Sequence, residues 1–211
     1  MSSAETGPLW VPSAARVRRA ELTQFAARLG AEHDVSSDGY EDFHRWSVEN
    51  RERFWEEVWS FTDVIGDGPG ETILENRDAM PGARWFPGAR LNFAENLLRE
   101  DGSGDAIVFW GEDRVRRRLS RDELRAGVLR VAAALRGAGI GPGDRVAGYL
   151  PNIPETVMVA LGAAAVGAAW SSCSPDFGTA SVLDRFGQIE PSILFAGDGY
   201  FYEGTWHPVD D

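Results

Sequence analysis

The sequence predicts an α/β protein: a helical, loop-rich N-terminal part followed by layered α/β structure with a mainly parallel sheet. Three observations predict it. Beyond residue 104, short β-branched or aromatic runs alternate with segments whose apolar residues recur every three or four positions. Alanine, glycine and valine dominate that part, whereas five of the eight tryptophans lie before residue 98. Between the two compositions, Arg99-Glu-Asp-Gly-Ser-Gly-Asp105 is polar and glycine-containing and reads as a hinge. The expected division is therefore 1–98 and 99–211.

In the first part, Ser13 is placed to cap a helix running to about Leu29. Val17, Leu22, Phe25, Ala26 and Leu29 form its apolar stripe, and Gly30 is the expected stop. A second helical region spans Tyr40 to Phe61, with Phe43, Trp46, Phe54, Trp55, Val58, Trp59 and Phe61 on one face. Rings bury much apolar area, so this stripe is expected to pack on the larger domain. Residues 65–90 are rich in glycine and proline and read as a long irregular segment wrapping over a surface.

In the second part, Ala106–Trp110 and Val115–Leu119 read as a hairpin turning at Gly111–Arg114. Ser120-Arg-Asp-Glu123 is a capping box, which starts a helix carrying Leu124, Val128, Val131, Ala132 and Leu135. Gly137 and Gly139 end it. Asp144–Leu150 reads as a buried strand. Asn152-Ile-Pro-Glu155 reads as a second box with proline in the first turn, opening a helix to Val166. A strand (Ala168–Cys173), a helix (Thr179–Ile189) and a strand (Ser192–Ala196) complete the alternation.

Charge excludes several functions. The 211 residues carry a net charge of −12 and a pI near 4.7, unsuited to phosphate-backbone contact, so no nucleic-acid partner is expected. The cluster Arg114, Arg116, Arg117, Arg118 reads as a solvated face. The single cysteine, Cys173, has small apolar neighbours and reads as an inert buried thiol. His33, His44 and His207 are scattered without metal-ligand spacing, so no metal site is expected. The N-terminus has neither a basic nor an apolar signal region. The uncharged run Thr156–Pro175 has few large apolar residues and reads as a buried helix and strand, not a membrane span. A cytoplasmic protein is expected.

Motifs for catalysis are missing. Gly137-Ala-Gly-Ile-Gly-Pro-Gly143 ends a helix and precedes a strand, the reverse of a dinucleotide-binding glycine run, and Pro142 stands where the last glycine belongs. All 21 basic residues are arginine, so no lysine-bearing phosphate loop exists here. No serine sits in a nucleophile elbow. No catalytic residue is assigned.

Several stretches nevertheless carry a family resemblance. They are Pro8-Leu-Trp10, His44-Arg-Trp-Ser47, Phe54-Trp-Glu-Glu-Val-Trp59, the run from Met80 to Leu98, and Trp170-Ser-Ser-Cys-Ser-Pro-Asp-Phe-Gly178. Gly139-Ile-Gly-Pro-Gly-Asp-Arg-Val-Ala147, Pro151-Asn-Ile-Pro-Glu155 and Gly167-Ala168 add the general opening of acyl-adenylate-forming synthetases. From Pro8 to about Tyr202 the chain resembles acetoacetyl-CoA synthetases, close relatives of acetyl-CoA synthetases.

That resemblance implies a helical extension over 1–98 and the incomplete first part of the adenylate-forming domain over 99–211. It implies an AMP-forming ligase of ketone-body and lipid metabolism. A short 3-oxo acid, acetoacetate, attacks the α-phosphate of Mg·ATP, and CoA then displaces AMP. ATP, Mg2+ and CoA are cofactors of the full-length family, and none is assigned to this chain alone. The phosphate loop and catalytic lysines would lie beyond Asp211, so the chain reads as the front third of such an enzyme, inactive without the C-terminal part. Ser174, Pro175 and Asp176 are the implied CoA-facing loop. The stretch after Ala196 is a second implied CoA region, but it lacks the expected basic residue. The alternative is a non-enzymatic module that binds CoA or a separately encoded C-terminal half.

Overall fold

The computed structural model describes residues 8–35, 39–112 and 114–209. They form two compact units, dividing between Ala89 and Arg90.

The first unit is helical. Ser13 caps α1 (Ala14–Arg18), its hydroxyl accepting from the Arg16 amide. The helix expected to reach Leu29 instead breaks at Ala20, whose ψ of 135° is extended. It resumes as α2 (Glu21–His33) and runs through Gly30. One helical glycine costs only about 1 kcal/mol, so Ala31 and Glu32 carry the helix on. Asp34 stops it, in the left-handed region at φ 54°. The second helical region likewise divides, into α3 (Tyr40–Glu49) and α4 (Arg51–Phe61), because Asn50 leaves helical geometry at ψ 48°.

Phe43, Trp46, Phe54, Val58 and Phe61 close over Phe25, Leu29 and Val35. The aromatic stripe thus contributes to a core within its own unit. The Phe25 ring lies 4.9 Å from Phe61 and 5.9 Å from Phe54, the latter edge-on. The irregular stretch contains a short antiparallel pair, β1 (Leu74–Glu75) and β2 (Arg84–Trp85). Trp85 meets Trp55 edge-on at 5.7 Å.

In the second unit, α5 (Phe93–Leu97) is capped by Asn92, whose amide also donates to the Ala164 and Ala165 carbonyls. A hairpin follows, β3 (Asp105–Gly111) and β4 (Val115–Ser120). The capping box forms as expected at the head of α6 (Arg121–Gly137). Next come β5 (Arg145–Tyr149), α7 (Pro154–Ala165), β6 (Ala169–Cys173), α8 (Thr179–Gly187) and β7 (Ile193–Ala196). The second predicted box does not form: Ile153 is the N-cap of α7, without a side-chain cap, and Pro154 begins the helix. Fixed φ and a dispensable N–H suit proline there.

The parallel sheet is present and short, in the order β6-β5-β7. The remaining strands pair as antiparallel hairpins. Helices α6 and α7 cover one face through Leu135, Val146, Val159 and Ala163. Helix α8 covers the other through Phe186, Ala147 and Cys173. Strand β7 lies on the opposite side of β5 from β6, and α8 on the opposite face from α7, as right-handed crossovers require. A last hairpin, which carries no clear turn signal in the sequence, is formed by β8 (Gly199–Tyr202) and β9 (Thr205–Pro208). Its turn places Glu203 at φ 48° and Gly204 at φ 76°, both left-handed as a two-residue hairpin turn demands.

Two glycines let α6 and α7 approach closely. A Cβ on Gly162 would stand 2.5 Å from Val131 Cγ1 and 2.8 Å from its Cβ. A Cβ on Gly127 would first meet the Met158 side chain, at 2.5 Å. Val131 is β-branched and stiff, whereas Met158 has three rotatable bonds. Gly162→Ala is expected to lose about 1–3 kcal/mol by overpacking. Gly127→Ala is expected to lose clearly less, since gained helix propensity offsets the shift. Urea melts of both variants check this, and equal losses would contradict it.

Among the described residues, the outer edges of β6 and β7 pair with no strand. Trp110, Leu183 and Leu194 are exposed on this unit. Open strand edges on a unit that also exposes apolar side chains template association, so the 211-residue chain is expected to self-associate. Light scattering after size-exclusion chromatography should show species heavier than the monomer. A monodisperse, cooperatively melting monomer would refute the expectation.

Candidate functional site

Reversal of strand order about β5 opens a crevice at the carboxyl ends of the strands, where open α/β sheets bind ligands. Two segments meet the end of β5, one from each side.

On the β6 side lies the loop Ser174–Gly178. Ser174 and Asp176 are exposed and Pro175 is buried. The Phe177 amide donates to the Ser174 carbonyl at 3.2 Å, closing a tight turn. The Tyr149 hydroxyl lies 2.8 Å from the Pro175 carbonyl oxygen and 2.9 Å from that of Phe177. Burial pushes this phenol above its ordinary value, with Tyr200, Asp176 and Cys173 adding to the effect, so it remains a protonated donor at neutral pH. The Arg185 guanidinium covers the Phe177 ring at 4.6 Å. Cys173 is buried and free, paired in register with Tyr149.

On the β7 side, an open depression of about 500 Å³ lies between the β3–β4 and β8–β9 hairpins. Pro151, Asn152, Ile153, Asp198 and Gly199 line its strand ends, and Trp110, Tyr200, Phe201 and Trp206 supply aromatic surface. Arg114 donates to the Gly204 carbonyl at 2.8 Å and covers the Phe201 ring at 4.9 Å. Arg116 covers Trp110 at 4.7 Å. Arg117 pairs with Glu155 at 2.7 Å, and Arg118 pairs with Asp105. The arginine cluster is thus a set of engaged side chains. One of them reaches the segment after Ala196 that has no basic residue of its own. Ninety residues separate Arg114 from Gly204, so no local signal could announce this.

Each histidine stacks on an aromatic ring: His33 on Trp46, His44 on Tyr40, and His207 on Tyr200. Among the described residues, Glu32, His33 and Glu57 have ligand-type atoms within 4.8 Å of one another. Arg28 contacts both carboxylates at 3.2 Å, and His33 Nε2 lies 2.8 Å from Glu57. A guanidinium already holding both acids makes this an ion-pair network. The Ala/Gly-rich run forms α7 and β6, and no described helix is long and apolar enough to cross a membrane.

A doubly wound α/β unit with a strand-end crevice defines a broad class of ligand-binding enzyme domains. The comparisons narrow it. Residues 98–209 match the AMP-binding enzyme family, and residues 40–97 match the acetyl-coenzyme A synthetase N-terminus. The chain belongs to the AMP-binding enzyme family. It is 54% identical over 203 residues to the acetoacetyl-coenzyme A synthetase of Rhizobium meliloti (strain 1021), covering 96% of this chain and 31% of that protein. The acetoacetyl-CoA synthetase of Macaca fascicularis is 37% identical over 204 residues, covering 94% of this chain and 30% of that one. The solved acetoacetyl-CoA synthetase from Streptomyces lividans superposes with a TM-score of 0.89 at 46% identity, over 96% of this chain and 32% of its own. The chain spans about 31% of the first relative's length and aligns with the N-terminal part of these enzymes.

Glu155 carries a pH signature. The Arg117 hydrogen bond holds its carboxyl below the ordinary carboxylate value, with burial opposing. A carboxylate lowered on folding stabilises the fold above its unfolded pKa, and that contribution disappears as pH falls through the folded value. Both side chains are nearly half exposed, so the pair is worth about 0.2–1 kcal/mol. Glu155→Gln is expected to cost that much at pH 7 and progressively less as pH falls below the ordinary carboxylate value, read from urea melts at neutral and acidic pH. An equal cost at both pH values would sink the assignment.

Proposed function

We propose that this chain is the N-terminal part of an AMP-forming acetoacetate–CoA ligase. The supporting observation is the 54% identity to an acetoacetyl-coenzyme A synthetase across 96% of the chain. In that reaction acetoacetate and Mg·ATP give acetoacetyl-AMP and pyrophosphate, and the CoA thiol then displaces AMP to give acetoacetyl-CoA. The proposed division is an extension over 1–98 and the first part of the AMP-binding domain over 99–211. The proposed setting is cytoplasmic, and the proposed substrate class is a short 3-oxo acid.

Different parts of the reaction make different demands on these residues. Adenylation needs cationic and backbone donors around the α-phosphate. The chain has no lysine, and its glycine run Gly137–Gly143 follows α6 instead of opening a helix. These residues do not fit ATP and Mg2+, and no step of adenylation is assigned to them. CoA fits better. Ser174 and Asp176 are exposed at the strand ends, and the depression beside β7 offers aromatic surface with Arg114 and Arg117 at its margin. In this reading Ser174, Pro175 and Asp176 border the CoA path, and the chain's contribution is to bind and orient the thiol carrier. A CoA-binding module without ligase activity is the second reading, favoured by both segments lying wholly within this chain.

The 211-residue chain alone is expected to give no acetoacetate-dependent pyrophosphate exchange. Joined to the C-terminal two thirds of the Rhizobium relative, it is expected to form AMP dependent on both acetoacetate and CoA. Activity in the isolated chain would overturn the first assignment. A soluble, folded fusion that binds CoA but never forms AMP would favour the module.

A further inference from the structure

We infer that Tyr149 is the positioning residue of the Ser174–Gly178 loop, acting through its hydroxyl. For its bearing on CoA this rests on the proposed function; the positioning itself rests on geometry alone. Tyr149 ends β5, the central strand of the parallel sheet, so its ring has a rigid base. The phenol has one proton and faces two carbonyl oxygens, Pro175 at 2.8 Å and Phe177 at 2.9 Å. Both carbonyls are thereby turned inward. In planar trans peptides the following amides, those of Asp176 and Gly178, then point away from the ring. The loop is held with Pro175 buried and with Ser174 and Asp176 exposed.

The same residue touches the other side of the crevice by different atoms. Its backbone carbonyl accepts from the Gly197 amide at 3.2 Å, just after β7. Tyr149→Phe keeps that carbonyl and the ring and removes only the hydroxyl. The two contacts can therefore be separated in one variant. The Phe177 amide, bonded to the Ser174 carbonyl, reports the β6-side loop. The Gly197 amide reports the β7 side and is the internal control.

The test is residue-resolved amide exchange on the full chain, wild type against Tyr149→Phe. Exchange at Phe177 is expected to rise roughly two- to twelvefold, the range set by loss of one hydrogen bond. Exchange at Gly197 and along α6 is expected to stay unchanged. Val146→Ala, a cavity in the same strand, supplies the comparison: it should lower the melting temperature without selectively releasing Phe177. Unchanged exchange at Phe177 in Tyr149→Phe, or an equal rise at Phe177, Gly197 and α6, overturns the positioning role. Calorimetry with CoA separates the two claims. If wild type binds CoA, Tyr149→Phe should weaken it. If wild type binds none while Phe177 is selectively released, the CoA reading fails and the positioning role stands.

Discussion

Strand β5 is buried through Val146, Ala147 and Gly148 and hydrogen-bonded along both edges, and the second unit is organised around it. Its alternation sends Val146 toward α6 and α7, and Ala147 and Tyr149 toward α8. Gly148 shows how little slack remains. A Cβ there would stand 2.3 Å from the Trp170 indole, which crosses from β6 to fill the space. Because β6 and β7 flank β5 on opposite sides, the chain must cross the sheet once on each face. That crossing produces the strand-end depression lined by Pro151 and Gly199.

Arginine without lysine gives this chain a consistent chemistry. Arg145 uses its whole fork, donating to the carbonyls of Gly143, Ile189 and Glu190 and tying the end of α8 to the start of β5. Arg114 and Arg116 cover aromatic rings, and Arg114 donates to the Gly204 carbonyl at the same time. An ammonium lacks the planar fork and could not reproduce these geometries. The same absence removes the compact cation that phosphoryl transfer commonly uses, which is why the proposed adenylation machinery is sought in the two thirds of the relatives that this chain does not span.

Legibility in the sequence followed the range of the interactions. The Ser120–Glu123 box, the β3–β4 hairpin and the strand–helix alternation rest on neighbours within a few residues, and each stands where the sequence placed it. Misreadings arose where a local signal was weak or had a competitor. Gly30 did not stop α2 because good helix formers follow it. Asn152 did not cap α7 because Pro154 set the first turn one residue later. The β8–β9 hairpin turns on Glu203-Gly204, which lacks the asparagine or aspartate that usually marks such a turn.

By itself the sequence determined the fold class, the alternating elements, the absence of lysine and the family motifs, because these depend on side-chain type and spacing along the chain. Tertiary structure alone decided which surfaces meet. It placed the aromatic stripe of α3 and α4 over Phe25 and Leu29, and carried Arg114 to Gly204. It also set the Tyr149 hydroxyl against the loop after β6. Each of these contacts joins residues far apart in the chain. Their proximity is set by strand order and helix packing, which no local pattern of residues encodes.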